Sequence, residues 1–556
     1  MRADGKPEGL RQSMAWLHTW SGLLLGWLLY AVFFTGTLSY FLDEITGWMK
    51  PELHASVPAR LAPERAVERM AQLAPDAATW TLTLPGDRMT AIQASWRDKG
   101  AAQGRAGTKR AELDAATGEV IVPRETRGGS FLYRFHFELY AMPRVWGRWI
   151  VGIATMVMFV AIISGVITHK KIFTDFFTFR PRKGQRSWLD AHNATAVLAL
   201  PFHVVITFSG LLLLMATLMP WGVDAVYKGD PQAYFAERRG APAAPAPRAG
   251  GRDAVATAGT AVPLAPIAPM LAQARAQWPA HGVGSIVVQQ PGTPRATVEL
   301  REEGGRSLVN RAAGERMLFD GVSGERRDAP TPAAVSATSA VYNVLTAPHL
   351  GRFAGPALRW LLFLAGVVGT TMAATGMVLW VVKRLPERQK RGHTPRGHRL
   401  VEVLNVASIA GLSIATAAYF WSNRGLPVEL AQRADWEIRC FFIAWALCGL
   451  HAVLRPHRSA WREQLGLAAL MFALLPVLNP LTGGAGLARS IAQGQWSVAG
   501  FDLAMLVLAA LHGCAAFRLR TPPRAQARPS PARPAPMGRS GSAALAAQPQ
   551  AQEQSP

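Results

Sequence analysis

The chain has 556 residues, half of them hydrophobic, and carries 59 Lys and Arg against 36 Asp and Glu. This composition fits a multi-span membrane protein with soluble insertions. The formal net charge of +23 does not point to nucleic acid, because the basic residues gather beside apolar runs and no basic, aromatic-interleaved module appears.

Arg2, Lys6 and Arg11 place residues 1–15 in the cytoplasm, and residues 16–42 form the first expected span. That run exceeds a signal-peptide core and lacks a small-residue cleavage site, so it is expected to stay uncleaved. Residues 43–145 are polar. They hold an amphipathic helix candidate, APERAVERMAQLAP, and the alternating runs WTLTLP, MTAIQASW and RAELDAATGEVIV. One helix followed by strands predicts a small α+β domain outside the membrane. A second span, 146–168, returns to a basic cytoplasmic loop, 169–187, containing RPRKGQR. The third span, 188–221, runs outward, and Pro201 inside it removes a backbone hydrogen bond and predicts a kink.

Residues 222–354 repeat the polar pattern. A Pro/Ala/Gly-rich linker near 241–251, expected to be flexible, precedes the helix candidate APIAPMLAQARAQWP and the strand candidates SIVVQQ, ATVELREE and ERMLFDGVSGE. The fourth span, 355–382, leads into a very basic cytoplasmic loop, 383–400. Residues 401–518 hold four further apolar runs, near 401–421, 437–454, 464–482 and 498–517, with basic patches on alternate sides. The Pro-, Ala-, Gln- and Ser-rich tail, 519–556, is expected to be disordered and cytoplasmic. The expected fold class is an α-helical integral membrane protein of about eight transmembrane helices, with two small α+β inserts and both termini cytoplasmic. Cys440, Cys448 and Cys514 lie in apolar runs without a CxxC pair, which excludes a disulfide framework or thiolate-held metal.

The first four spans read as two copies of one unit. Aligning His18 with His192 brings Thr35-Gly36 onto Ser209-Gly210, each pair starting seventeen and ending eighteen residues beyond its histidine. In the inserts, LDAATGEV matches FDGVSGER, so Asp114 falls on Asp320 and Gly118 on Gly324. This pattern predicts a hairpin turn, in which Asp bonds the local backbone and Gly takes positive φ. Further on, His136 pairs with His349 and Gly165 with Gly376, as in parallel repeats about an axis along the membrane normal. His169 and His203 lack histidine counterparts: Trp380 and Leu29 stand in their places.

A metal-binding side chain within a membrane helix marks function. His192 and His203 are eleven residues apart, which on one continuous helix puts both on one face, about 16 Å apart. Neutral imidazole is a good axial ligand for haem iron. His18, His136, His169, His192, His203 and His349 are therefore the candidate haem-iron ligands. The expected partners are His169 or His18 opposite His192, and His349 or His136 opposite His203. No catalytic side chain is singled out. His54 and His281 fall in the inserts, His393, His398 and His457 in cytoplasmic loops, and His451 and His512 in the extra spans. The glycines Gly22, Gly26, Gly36, Gly165, Gly210, Gly366, Gly369 and Gly376 allow close helix packing, and some clear room for a flat macrocycle.

Five segments carry a family resemblance: LHTWSGLLLGWLL, FLYRFHFELY, GRWIVGIATMVMFVAIISGVITHKK, WLDAHNATAVLALPFHVVITFSGL and HLGRFAG. Over about residues 10–385 the chain resembles the PepSY-associated transmembrane family, which includes iron-regulated membrane proteins and ferric-siderophore reductases. The resemblance implies a bacterial inner-membrane protein with two PepSY-like periplasmic inserts. It also implies haem b, two per chain, held between histidines. Electrons would pass outward to a ferric siderophore or other ferric chelate bound between the PepSY domains, for iron acquisition. No G-x-G-x-x-G or flavin-binding domain occurs in the cytoplasmic loops, so the expected donor is a membrane quinol or a separate reductase. Two rival readings stand beside it: a non-enzymatic envelope regulator or binding protein built on the PepSY domains, and a proton-coupled transporter using His192 and His203 as a relay.

Overall fold

The computed structural model describes residues 9–57, 61–102, 105–169, 171–230, 233–235, 262–304, 308–309, 314–328 and 335–520. The linker expected near 241–251 and the tail from 521 onward lie outside the described residues. Among the described residues, eight helices are long and apolar enough to cross a membrane, and the chain is a multi-pass α-helical membrane protein.

In chain order the first unit comprises α1 (Leu10–Ser39), α2 (Leu42–Trp48), α3 (Ala62–Leu73), β1 (Ala77–Thr83), β2 (Ile92–Asp98), β3 (Thr108–Leu113), β4 (Val120–Ile121), α4 (Gly129–Glu138) and α5 (Arg144–Thr168). The second comprises α6 (Gln185–Leu198), α7 (Leu200–Leu218), α8 (Ala268–Gln277), β5 (Val283–Gln289), β6 (Thr297–Glu302), β7 (Arg316–Asp320), β8 (Arg326–Arg327), α9 (Ala337–Leu350) and α10 (Pro356–Lys383). Then follow α11 (Leu385–Arg391), α12 (Arg396–Gly425), α13 (Arg433–Leu454), α14 (His457–Leu481) and α15 (Trp496–Arg518).

The spans of the two units close a ring. α1 packs on α5 and α10, α7 packs on α5, and α6 packs on α10. Each contact has its repeat-related twin. The third span differs from the continuous helix expected over 188–221. It breaks at Ala199 (φ −114°, ψ 24°) and α7 ends at Leu218. Pro201 is the cause: it lacks an N–H and sits in the first turn of α7, where no intrahelical donor is needed. His192 and His203 therefore lie on separate helices, and the reckoning that put them on one face does not apply.

The two inserts meet more closely than two separate domains would. Their strands form one antiparallel sheet of eight, in the order β4-β3-β2-β1-β5-β6-β7-β8. The joint is β1 against β5, with Trp80 opposite Val288 and Leu82 opposite Ile286. Trp80, Leu82, Ile286 and Val288 share one apolar cluster with Met70 and Ala66 of α3 and with Met270 and Leu271 of α8. The expected turns are present. Asp114 accepts from the N–H groups of Ala116 and Thr117, and Asp320 from those of Val322 and Ser323, all at 2.8 Å. Gly118 and Gly324 both have φ of 77°. The Ser323 and Val322 amides, with Arg327 nearby, hold the Asp320 carboxyl below the usual carboxylate range.

α12 to α15 dock mainly on the first unit, and α12 also packs against α10 of the second. Tyr30, Trp48, Phe131 and Phe135 pack with Tyr419, Phe420, Phe441 and Phe501 in one core. Asn405 of α12 accepts from Trp27 Nε1 (2.9 Å) and donates to Met377 O (3.1 Å), tying α12 to α1 and α10. Towards the sheet, Arg433 and Glu437 form a fully buried ion pair, and Glu437 also accepts from Thr126 and Asn423.

Candidate functional site

Four histidines are built into the ring by one local rule. His18 donates from Nδ1 to Ala161 O of α5 (2.8 Å), and His192 to Met372 O of α10 (3.0 Å). His136 of α4 donates to Val32 O of α1 (2.7 Å), and His349 of α9 to Ile206 O of α7 (2.9 Å). A carbonyl only accepts, so Nδ1 carries the proton and Nε2 keeps its lone pair. In every case the residue four positions after the accepting carbonyl is glycine: Gly165, Gly376, Gly36 and Gly210. A Cβ added there would lie 3.1 Å from His18 Cε1, 3.0 Å from His192 Cε1, 2.6 Å from His136 Cε1 and 3.2 Å from His349 Cε1. The glycines thus admit the rings to the helix surface. Nε2 of each of these four has no hydrogen-bond partner among the described residues.

The rings come in two pairs. His18 and His192 have centroids 6.2 Å apart, and His136 and His349 have centroids 5.9 Å apart. Each pair joins repeat-related residues. From His18 to Val32, the carbonyl that fixes His136, is fourteen residues of α1, or about 20 Å. Burial is the main force pushing His136 below the ordinary imidazole pKa and His349 down to about 3, the latter lowered further by its neighbour His136. Both rings of this pair are accordingly neutral at pH 7.

The remaining two candidates stand apart from the pairs. His169 follows α5, and its Nε2 meets the Asn193 amide at 2.8 Å. His203 is buried, and its Nε2 has no hydrogen-bond partner among the described residues. It lies against Phe33, with ring centroids 6.1 Å apart, and close to Gly369. Phe33 adjoins Val32 of the outer level, while Gly369 is two turns of α10 from Gly376 of the inner level. His203 therefore sits between the pairs. Among the described residues there is no cluster of three or more His, Cys, Asp or Glu suited to a metal. Each level can supply two imidazole nitrogen ligands.

Sequence reading missed the carbonyl-and-glycine rule, although the repeat had matched Gly36 to Gly210 and Gly165 to Gly376. It also put His398 and His457 in loops. Both occupy the first turn of a helix, α12 and α14, each immediately preceded by a capping proline, Pro395 or Pro456. The prolines were the available signal.

A family model described as the PepSY-associated TM region matches residues 15–383. The chain is also 27% identical over 394 residues to an uncharacterized protein of Pseudomonas aeruginosa, an alignment covering 68% of this chain and 92% of that relative.

Proposed function

We propose, from the premise that the chain belongs to the PepSY-associated transmembrane family, that it is a haem b oxidoreductase of the bacterial inner membrane. In this reading it carries electrons outward to a ferric siderophore or other ferric chelate. The observation behind this is the pair geometry. Two imidazoles bonded to opposite sides of one metal through bonds of about 2 Å have ring centres about 6 Å apart. The pairs stand at 6.2 and 5.9 Å.

The donor set fits as well. Each ring presents a lone pair at Nε2, while a backbone carbonyl at Nδ1 fixes its tautomer and direction and raises its basicity. Haem b bound at such a pair supplies one-electron transfer at an iron with no open position. His18 and His192 would hold the inner haem, and His136 and His349 the outer one. His203 and Phe33 fill the space between the two levels. The basic loops around 169–187 and 383–400 lie at the end of the bundle away from the sheet, so the sheet faces the periplasm by the positive-inside rule. A ferric chelate would then be reduced on the sheet side. Fe(II), softer and less charged, binds hard-oxygen chelators more weakly and is released.

The test is a reduced-minus-oxidised absorbance spectrum of the purified protein. A b-type band is expected, with half of it lost in His18→Ala or His192→Ala and the other half in His136→Ala or His349→Ala. A protein without that band would end this reading. Addition of a ferric siderophore to the reduced protein is expected to return the oxidised spectrum.

A further inference from the structure

A cleft of about 350 Å³ opens beside the inner histidine pair, between Trp20 and Leu23 of α1, Trp380 and Arg384 of α10, and His398 of α12. Two of its lining groups are buried and poorly satisfied among the described residues: the Trp380 indole N–H has no hydrogen-bond partner, and Nε2 of His398 has only the long contact to Glu402. Their rings stand 6.1 Å apart. Buried polar groups are almost always satisfied, so an open indole N–H beside a weakly held imidazole on the wall of one cleft marks a place where a ligand supplies the partner. Behind His398, Glu402 Oε1 lies 3.4 Å from Nε2 and accepts from Arg388 at 2.7 Å. The guanidinium carbon of Arg384 lies over the Trp380 ring, 3.8 Å from its centre.

These groups describe the ligand. It is flat, because two indoles and a guanidinium wall the cleft. It both accepts from an indole N–H and donates to, or accepts from, an imidazole. It is uncharged, since the charges at the cleft are already engaged: Arg391 pairs with Glu387, Arg388 with Glu402, and Arg384 stacks on Trp380. We propose that the cleft binds the head group of a membrane quinol and that His398 is its proton acceptor.

The electron destination rests on the haem reading. Oxidation of a quinol to the quinone releases two electrons and two protons. Nε2 of His398 takes a hydroxyl proton and passes it to Glu402 before taking the second. A haem held by His18 and His192 would be the one-electron acceptor for these electrons. The route is short: Trp380 is one turn of α10, about 6 Å, beyond Gly376, on which the His192 ring lies.

The full chain in lipid nanodiscs should bind the short-chain quinone ubiquinone-1 at one saturable site, measured by equilibrium dialysis against empty nanodiscs. His398→Gln and Trp380→Phe, which keep side-chain bulk, should each weaken binding at least tenfold and leave any haem absorbance unchanged. No saturable binding by the native chain, or native-like binding by both variants, overturns the proposal. Quinone binding to a chain without haem would overturn the haem reading and leave this site standing. A haem band without quinone binding would do the reverse.

Discussion

A ring that bonds a helix carbonyl from the side must lie over the residue four positions further on, because that residue shares the carbonyl's face of the helix. Any Cβ there competes with the ring. Gly36 is the most demanding of the four cases, since a Cβ would fall 2.6 Å from both Cε1 and Nδ1 of His136. Gly36→Ala should therefore swing the His136 ring off Val32 O and, in the haem reading proposed above, cost the outer haem, halving the b-type absorbance while the inner half remains. An unchanged spectrum would show that the ring has room to shift. His203→Ala makes the opposite prediction. Neither pair contains His203, so both haems should stay in the purified variant, counted by pyridine haemochrome per chain. Loss of one would place His203 among the ligands and break the pairing of His136 with His349.

At the scale of elements, local pattern and non-local pairing separate cleanly. The alternating runs and the Asp-x-x-[Thr/Ser]-Gly turns read correctly, because period-two burial and positive φ are imposed within a few residues. The pairing of β1 with β5 did not, because those strands lie about two hundred residues apart and an antiparallel edge carries no address for its partner. The break at Ala199 was half legible: Pro201 announced a disturbance, but whether the helix bends or restarts depends on neighbours. His54 shows the same limit. Its place in an insert was plain, but not that it is clamped in the short helix Pro51–Ala55, with Nε2 donating to Gly47 O (2.9 Å) and Nδ1 accepting from Ala485 N–H (3.1 Å). Burial is the chief cause that lowers His54 to about 4; Arg424 and Arg124 add to it, while Gly47 and Glu52 oppose it. The sign follows from linkage. Between about pH 6.5 and 4 the unfolded chain binds a proton at His54 that the folded chain does not, so stability is full above this window and falls on acidification. The loss approaches roughly 3 kcal/mol near pH 4. Thermal unfolding followed from pH 7 to 4.5 should show a falling midpoint, with a shallower slope in His54→Gln; equal slopes would clear His54 of the effect.

For the whole molecule, the question is what α12 to α15 do for a ring that is already closed by α1, α5, α6–α7 and α10. They do not repeat the unit, and apart from the contact of α12 with α10 they dock on the first unit. That one-sidedness costs the first unit its independence. Tyr30, Trp48, Phe131 and Phe135 are nearly excluded from solvent only because Tyr419, Phe420, Phe441 and Phe501 cover them. Trp48 Nε1 donates to Asp502, and Arg124 reaches Asn423 O, so polar groups of the first unit also find their partners there. The Arg433–Glu437 pair sits at zero exposure beneath this interface. Removing one member of a buried pair leaves an uncompensated charge and costs about 3–5 kcal/mol, whereas the intact pair is close to neutral against apolar packing. Arg433→Met should therefore lower the thermal midpoint sharply, although it lies far from either histidine pair. The same logic separates covering from continuity of chain. The connection between α11 and α12, Gly392 to Pro395, is short and touches little of this core. A chain ending at Arg391 should fail to accumulate in membranes, because its aromatic face and buried polar groups would meet lipid. Co-expression with residues 392–556 should restore accumulation, since the contacts that matter lie across the interface and not along the backbone. Accumulation of the shorter chain alone, with both haems, would mean that the four extra helices are not needed to hold the ring, leaving His398 and its cleft as their remaining contribution.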